Sequence, residues 1–472
     1  MSKRDLVILG GGAGGLVVAS VAAQLGRSVT LIEKADRLGG DCLHYGCVPS
    51  KTLIRSAQVA ALMRRGAEFG LEPCDFPVDL ARVNAHVKSV VDHIQHHDDP
   101  ERFRGYGCEV LLGEAAQFVS PHEIRVGERV IHGRRFVIAT GTHPFVPDIP
   151  GLHEAPYSTN EDLFSLQDLP PRLAVLGGGA IGVELGQALV RLGSEVTLLQ
   201  RGPQILPRED PELVVRLAES LHTEGMRIHT DTTVDAIHTD VEGSHLHCSD
   251  GLRLTVDHIL IATGRQPNIE ELGLDAAGVA HTRRGIVVDR RQRTSQKHIY
   301  ACGDVCGPYA FTHMAEHQAG VVISNAVFRF PKKTNYRVVP WVTYSDPELA
   351  RVGLTEVEAR EQGIDPEVLR FEFRDVDRAI TANETTGLYK LVTHRGRILG
   401  ASILGPHAGE LLHEIVLAMQ TGVKIGAISA TIHAYPTLAQ VHRRVVNTAY
   451  AAKLFSPLTR RLVKWIHHLL PG

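Results

Sequence analysis

The sequence predicts an α/β protein built on two Rossmann-like dinucleotide-binding domains. Three observations predict it. A glycine-rich turn joins an apolar strand to a helix near the N-terminus, in DLVILGGGAGGLVVAS. The same pattern returns in RLAVLGGGAIGVELGQAL. In each copy a second apolar strand ends 23 residues after the first glycine, at Glu33 and at Gln200. A chain of 472 residues has room for two to four domains.

The first copy places Gly10, Gly12 and Gly15 as G-x-G-x-x-G. The first glycine permits the turn, the second lets backbone approach a pyrophosphate, and the third packs helix on strand. The helix N-terminus then offers unpaired N–H groups to phosphate. Glu33 is placed to accept a hydrogen bond from a ribose 2′-OH.

Next comes GGDCLHYGCVPSK, residues 39–51, with Cys42 and Cys47 five positions apart. Metal binding, a structural bridge and a catalytic redox pair are all open for such a pair. The other five cysteines, Cys74, Cys108, Cys248, Cys302 and Cys306, are scattered and odd in number, unlike a secreted disulfide framework. Cys302 and Cys306 lack a second Cys/His pair at zinc spacing, so packing is expected there and no metal site is.

The second copy carries Gly177, Gly179 and Gly182 in the same register, but Gln200 stands where the acid would be. Arg201 follows, and Arg208 lies just beyond. An acid repels a ribose 2′-phosphate and an arginine attracts it, so NADPH is expected in preference to NADH. Two related strand ends, FVIATGTHP and ILIATGRQPN, put Thr140–Gly141 and Thr263–Gly264 where the chain would cross between domains. A further strand end, HIYACGDVCG, supplies Gly303 and Asp304.

Composition narrows the class without naming it. Hydrophobic residues are 43% and charged residues 22%, and the formal net charge of -3 carries no nucleic-acid signal. Glycines interrupt the apolar run of residues 6–18 and no small-residue cleavage site follows, which argues against a signal peptide. A cytoplasmic protein is expected.

Together these motifs, with YSDPELARVGLTE towards the C-terminus, resemble the flavoprotein disulfide reductases, the family of dihydrolipoyl dehydrogenase, glutathione reductase and mercuric reductase. The resemblance covers nearly the whole chain, and the cysteine motif is its most specific part. It implies an FAD-binding domain at 1–150 completed by 280–338, an NAD(P)-binding domain at 151–279, and a C-terminal α+β dimerisation domain at 339–452. It also implies an obligate homodimer, with FAD held in the first fold and the nicotinamide in the second. Carried over by motif, Cys42 is the thiol that attacks substrate and Cys47 the thiol against the flavin. Lys51 is the flavin-facing lysine and Glu184 the acid that pairs with it. Further cofactor contacts are implied at Gly40, Ala115, Thr140, Gly141, Gly264, Gly303 and Asp304. A helix N-terminus and a nearby cation would favour the Cys47 thiolate.

The family's thiol-handling members carry a C-terminal His-Pro, with an acid five residues after the His, to serve the partner subunit's cysteines. Here TIHAYPTLAQVHRR gives Tyr435 before Pro436, and Gln440 instead of the acid. His433 is expected to be structural or superficial rather than a substitute base. Tyr435 resembles the tyrosine that lines the metal pocket of mercuric reductase, and PREDPEL also resembles that branch. No metal-binding domain precedes Met1 and the ending WIHHLLPG holds no cysteine pair, so a mercuric-like pocket without a delivery system is expected. The implied function is electron transfer between nicotinamide and a thiol/disulfide, small-molecule or thiophilic metal-ion acceptor through a redox-active Cys42–Cys47 disulfide. The alternatives are a dihydrolipoyl dehydrogenase acting on a lipoyl protein, and a flavin-bound redox sensor.

The tail, 453–472, reads as a basic amphipathic helix. Ser456 and Pro457 make an N-cap and a first helical residue. Leu458, Leu462, Trp465, Ile466 and Leu469 share one face, and Arg460, Arg461, Lys464, His467 and His468 the other. Packing of the apolar face on the chain's own surface is the plain alternative, but the helix is expected to serve as a docking element dispensable for flavin reduction. The surfaces open to docking through 456–472 are a membrane interface or a partner.

Overall fold

The computed structural model describes residues 3–470. It divides into two compact units. One holds the chain up to Gly202 together with Met226–Asn335, and the other holds Pro203–Gly225 and everything from Tyr336 onward.

The first unit contains both glycine-turn folds. Strand Leu6–Leu9 is buried on both faces, as a central strand of a parallel sheet must be. It pairs in parallel with Val29–Glu33 on one side and Phe136–Ile138 on the other. Cys108–Leu112 and Ile299–Ala301 complete five strands. Helix α1 (Ala13–Gln24) leaves the first strand through the glycine turn. Gly10 sits at φ +105°, and a Cβ there would overlap the Ala139 carbonyl oxygen. Helices α2 (Gly40–His44) and α3 (Cys47–Arg64) follow the second strand.

The second fold repeats this plan. Strand Arg172–Leu176 lies between Glu195–Leu199 and His258–Ile261 in a second parallel five-stranded sheet. Helix α4 (Ala180–Leu192) leaves it through Gly177, whose φ is +112°. A Cβ on Gly177 would overlap the Ala262 carbonyl oxygen, the counterpart of the Gly10 contact. The chain then returns to the first sheet at Ile299–Ala301 and enters helix α5 (Thr312–Ala326). Cys302 is fully buried against Gly14 of α1, and burial pushes its thiol up to about 12, so it packs and does not react. No cluster of metal-ligating residues occurs among the described residues.

The second unit is α+β. Its five strands are antiparallel, in the order Pro340–Thr343, Glu348–Gly353, Arg397–Gly405, Leu388–His394, Glu367–Glu372. Helices α6 (Ala408–Thr421) and α7 (Gln440–Leu454) contribute Leu412, Ile415, Val441 and Val445 to a core with Val352, Phe373 and Tyr389. The segment Pro203–Gly225 lies inside the stretch expected to form the nicotinamide domain, yet it groups with this unit. A buried ion cluster fastens it there: Lys390 Nζ reaches Asp210 at 2.8 Å and Glu212 and Glu356 at 3.1 Å. Arg216 also pairs with Glu372 at 2.7 Å.

Helix α8 (Pro457–Leu469) forms as the tail pattern predicts. Ser456 accepts from the Thr459 N–H, and Pro457 opens the helix. Its apolar face does not pack on the chain's own surface: none of its residues is buried.

Candidate functional site

At the first glycine turn, Glu33 Oε2 accepts the Gly11 N–H at 2.6 Å and Oε1 accepts the Ala35 N–H at 2.9 Å. The carboxylate is thereby fixed beside the N-terminus of α1. A cavity of about 510 Å³ opens there, lined by Gly10, Glu33, Ala115, Thr140 and Asn268 among others. Gly40 opens α2 so close to Gly12 that a Cβ on Gly40 would lie 2.7 Å from the Gly12 Cα. Two helix N-termini thus meet where Gly40 has no room for a side chain, a cradle suited to pyrophosphate. These residues fit the FAD implied by the resemblance.

The two crossover loops are sewn together. Asn268 Nδ2 donates to the Thr140 carbonyl at 2.7 Å, and Thr140 Oγ1 donates to the Asn268 carbonyl at 2.8 Å. Strand Arg265–Pro267, which directly follows Gly264, pairs with Thr142–Pro144, which directly follows Gly141. Asp304, after Gly303, accepts from Thr142 Oγ1 at 3.4 Å, and burial raises its carboxyl above the usual range. A buried carboxyl at this strand end suits a ligand hydroxyl.

The cysteines sit at a break between two helices. Five residues of continuous helix would rise about 7.5 Å, too far for a disulfide. The chain instead stops α2 at Tyr45 and starts α3 at Cys47, with Gly46 between at φ -114°, ψ -111°. A Cβ on Gly46 would lie 2.9 Å from the Asp41 carboxylate and 3.4 Å from the Cys42 Cα, so the reversal needs glycine. Cys47 is the first residue of α3 and lies 3.4 Å from the hydroxyl of Thr312, the first residue of α5. The two thiols divide: a hydrogen bond from Cys42, then those of Thr312 and the charge of Lys51, bring Cys47 down to about 6 against the opposing effect of burial. Cys42, donating to its neighbour and desolvated, is pushed well above the thiol range. Lys51 lies one turn further along α3, and its Nζ donates to Glu184 Oε2 of α4 at 2.8 Å.

Arg265 holds this turn in place and is invisible in the motif. Its guanidinium donates to Asp41 at 2.8 Å, to Thr142 Oγ1 at 2.8 Å and to Asn160 at 3.3 Å. Asn160 in turn donates to the Tyr45 carbonyl at 3.0 Å. His44 turns inward and donates from Nε2 to the Leu38 carbonyl at 2.8 Å.

At the second glycine turn, Gln200 Oε1 accepts the Gly178 N–H at 2.9 Å. Gly179 caps α4, and Gly182 lies so near Gly177 that a Cβ would overlap the Gly177 carbonyl. Arg201 is exposed. Arg208 belongs to the other unit, where its guanidinium stacks on Trp341 at 5.2 Å.

In the C-terminal unit, Tyr435 is 68% exposed. His433 is turned inward. Its Nε2 faces Glu414 at 3.2 Å and its Nδ1 faces the Thr431 carbonyl at 3.2 Å, so both nitrogens are engaged. His442 lies 3.9 Å from the same carboxylate, and its Nδ1 pairs with the Tyr389 hydroxyl at 3.1 Å. The histidine expected to be structural or superficial is thus a buried partner of Glu414.

The family model described as pyridine nucleotide-disulphide oxidoreductase matches residues 4–319, and its dimerisation domain matches 339–445. The chain belongs to this family. A mercuric reductase of Staphylococcus aureus is 34% identical over 442 residues, covering 92% of this chain and 80% of that one. A dihydrolipoyl dehydrogenase of Chlamydia muridarum is 33% identical over 97% of this chain and 99% of its own. The HOCl-induced flavoprotein disulfide reductase RclA of Escherichia coli, solved as a Cu(II) complex, superposes with a TM-score of 0.86 at 31% identity, covering 93% of this chain and 99% of that one. This pyridine nucleotide-disulphide oxidoreductase is therefore an enzyme of a family that uses FAD and NAD(P)H, and its dimerisation domain indicates a homodimer. Among the described residues no helix is long and apolar enough to cross a membrane.

Proposed function

We propose that this is a cytoplasmic NADPH-dependent reductase that passes electrons through Cys42 and Cys47 to a thiophilic acceptor, in the manner of mercuric reductase. The observation that carries the reading is the exposed Tyr435 where related thiol enzymes place a histidine, with His433 already engaged by Glu414. Bound FAD would supply two-electron relay between nicotinamide and sulfur. Gly10, Gly12, Gly15, Gly40, Glu33, Ala115, Thr140, Gly141, Gly264, Gly303 and Asp304 would hold it. Gly177, Gly179, Gly182 and Arg201 would hold the NADPH.

The balance is simple. Two electrons break the Cys42–Cys47 bond, one proton from solvent stays on Cys42, and Cys47 remains a thiolate beside Lys51. Reoxidation re-forms the Cys42–Cys47 bond, releases the Cys42 proton and passes two electrons to the acceptor: a disulfide, which also takes up two protons and leaves as two thiols, or a metal ion such as Hg²⁺, which leaves as Hg⁰. Tyr435 of the partner subunit would line the acceptor pocket. The Cu(II) complex of the Escherichia coli reductase adds Cu²⁺ to the candidates, two ions each taking one electron to become Cu⁺.

Dihydrolipoyl dehydrogenase is the second reading, supported by the near full-length match to such an enzyme. A steady-state screen of the purified enzyme with NADPH against Hg²⁺, Cu²⁺, lipoamide, glutathione disulfide and quinones separates the readings. Metal-dependent turnover far above the disulfides supports the first. Fast lipoamide turnover overturns it. Slow oxidase activity indifferent to acceptor would instead indicate a redox sensor.

A further inference from the structure

Helix α8 carries an apolar surface that the chain itself leaves uncovered. At 100° per residue its apolar side chains fill an arc of about 160° and its basic ones occupy the remainder. The side chains of the apolar arc range from 41% exposed at Ile466 to 77% at Leu458, with Trp465 at 60%. Leu454 and Phe455, just before the helix, are exposed as well. Arg460, Arg461, Lys464, His467 and His468 form the opposite side, and no Asp or Glu follows Gln440 anywhere in the sequence. Contiguous exposed apolar surface on a soluble fold marks an interaction site.

Two features choose the occupant. The family's dimerisation match ends at residue 445, before this helix begins. A second copy of the helix would cover the apolar arc alone and leave Arg460, Arg461 and Lys464 on the outer side without an acid to meet them, since a two-fold contact pairs the same patch with itself. An anionic lipid surface satisfies both sides at once: tryptophan and leucines enter the interface while arginine and lysine meet the headgroups. Thirteen helical residues span only about 20 Å, so the helix lies on a bilayer and does not cross it.

We propose that α8 is an interfacial anchor that docks this enzyme on anionic membrane surfaces. The test uses full-length flavin-loaded protein and sedimentation with vesicles. Phosphatidylglycerol-containing vesicles should pellet the enzyme at low salt, pure phosphatidylcholine vesicles should not, and added salt should release it. Trp465 emission should shift to the blue on binding, and Trp465→Phe should lose that shift. Charge reversal at Arg460, Arg461 and Lys464 should weaken binding by roughly 100-fold or more. Leu462→Ser with Leu469→Ser should abolish it while the visible flavin spectrum and NADPH oxidation stay unchanged. Absence of binding to anionic vesicles, or undiminished binding by the charge-reversal variant or by Leu462→Ser with Leu469→Ser, overturns the proposal. So does a fall from dimer to monomer in sedimentation equilibrium on deleting 456–472, which would assign the face to a second copy.

Discussion

Lys51 of α3 and Glu184 of α4 meet across 2.8 Å, tying the helix that starts at Cys47 to the helix that leaves the second glycine turn. The glutamate side chain is almost buried and the lysine one-third exposed. Lys51 is also one of the charges that hold Cys47 low. In reduced enzyme, iodoacetamide reactivity or thiolate absorbance should titrate near pH 6, thiolate above and thiol below. Lys51→Gln should move that midpoint upward. Cys47→Ser should remove it, together with any long-wavelength thiolate–flavin absorbance, whereas Cys42→Ser should show the absorbance without reductant. A single midpoint near the ordinary thiol value would refute the division of roles between the two cysteines.

Arg201 should set nucleotide preference. Arg201→Ala is expected to lower efficiency with NADPH by about tenfold, the worth of one charge-assisted hydrogen bond, and to leave NADH unaffected. Adding Gln200→Glu should turn the preference to NADH. Equal parental efficiency with both nucleotides would be incompatible with this reading.

Tyr435 should make disulfide turnover slow, because a phenol does not relay protons near neutrality as an imidazole does. Tyr435→His with Gln440→Glu should raise lipoamide turnover, while Tyr435→Phe should impair metal-ion turnover. Rapid lipoamide turnover by the parent enzyme, unaltered in Tyr435→Phe, would rule the assignment out.

His442 predicts an acid-sensitive C-terminal unit. Burial holds it down to about 4 in the folded chain, against an ordinary value near 6.5. Between those values the unfolded chain binds a proton that the folded one does not, so stability falls as pH falls, by roughly 1.4 kcal/mol per pH unit and about 3 kcal/mol over the window. Urea unfolding at pH 7 and pH 4.5 should report this difference, and His442→Gln should flatten it. An unchanged pH slope in the variant would place the sensitivity elsewhere.

The glycine turns were readable because backbone sterics admit few residues at Gly10 and Gly177, and spacing alone then places Glu33 and Gln200. The cysteine pair was readable from its spacing, and the break at Gly46 answers the rise that five helical residues would impose. Arg265 and Asn268 were not. Each sits in a loop motif, but its partners lie more than a hundred residues away, and no local pattern encodes such distances. Glu414 escaped because it sits in α6, 19 positions from His433 and outside the TIHAYPTLAQVHRR stretch. Amphipathicity announced α8 but could not say what covers it, since an apolar face looks the same whether it is meant for a core or for a bilayer.

The pairing of the two glycine turns bears on how such an enzyme changes. Glu33 and Gln200 are nearly isosteric and perform one identical duty, accepting a backbone N–H from the glycine loop. Because the amide meets that duty as well as the carboxylate, charge at this site is uncoupled from the fold. On the proposed reading of Gln200 and Arg201, a lineage could then trade NADPH for NADH by altering side chains at a strand end, while the scaffold around them stays under no pressure to adapt.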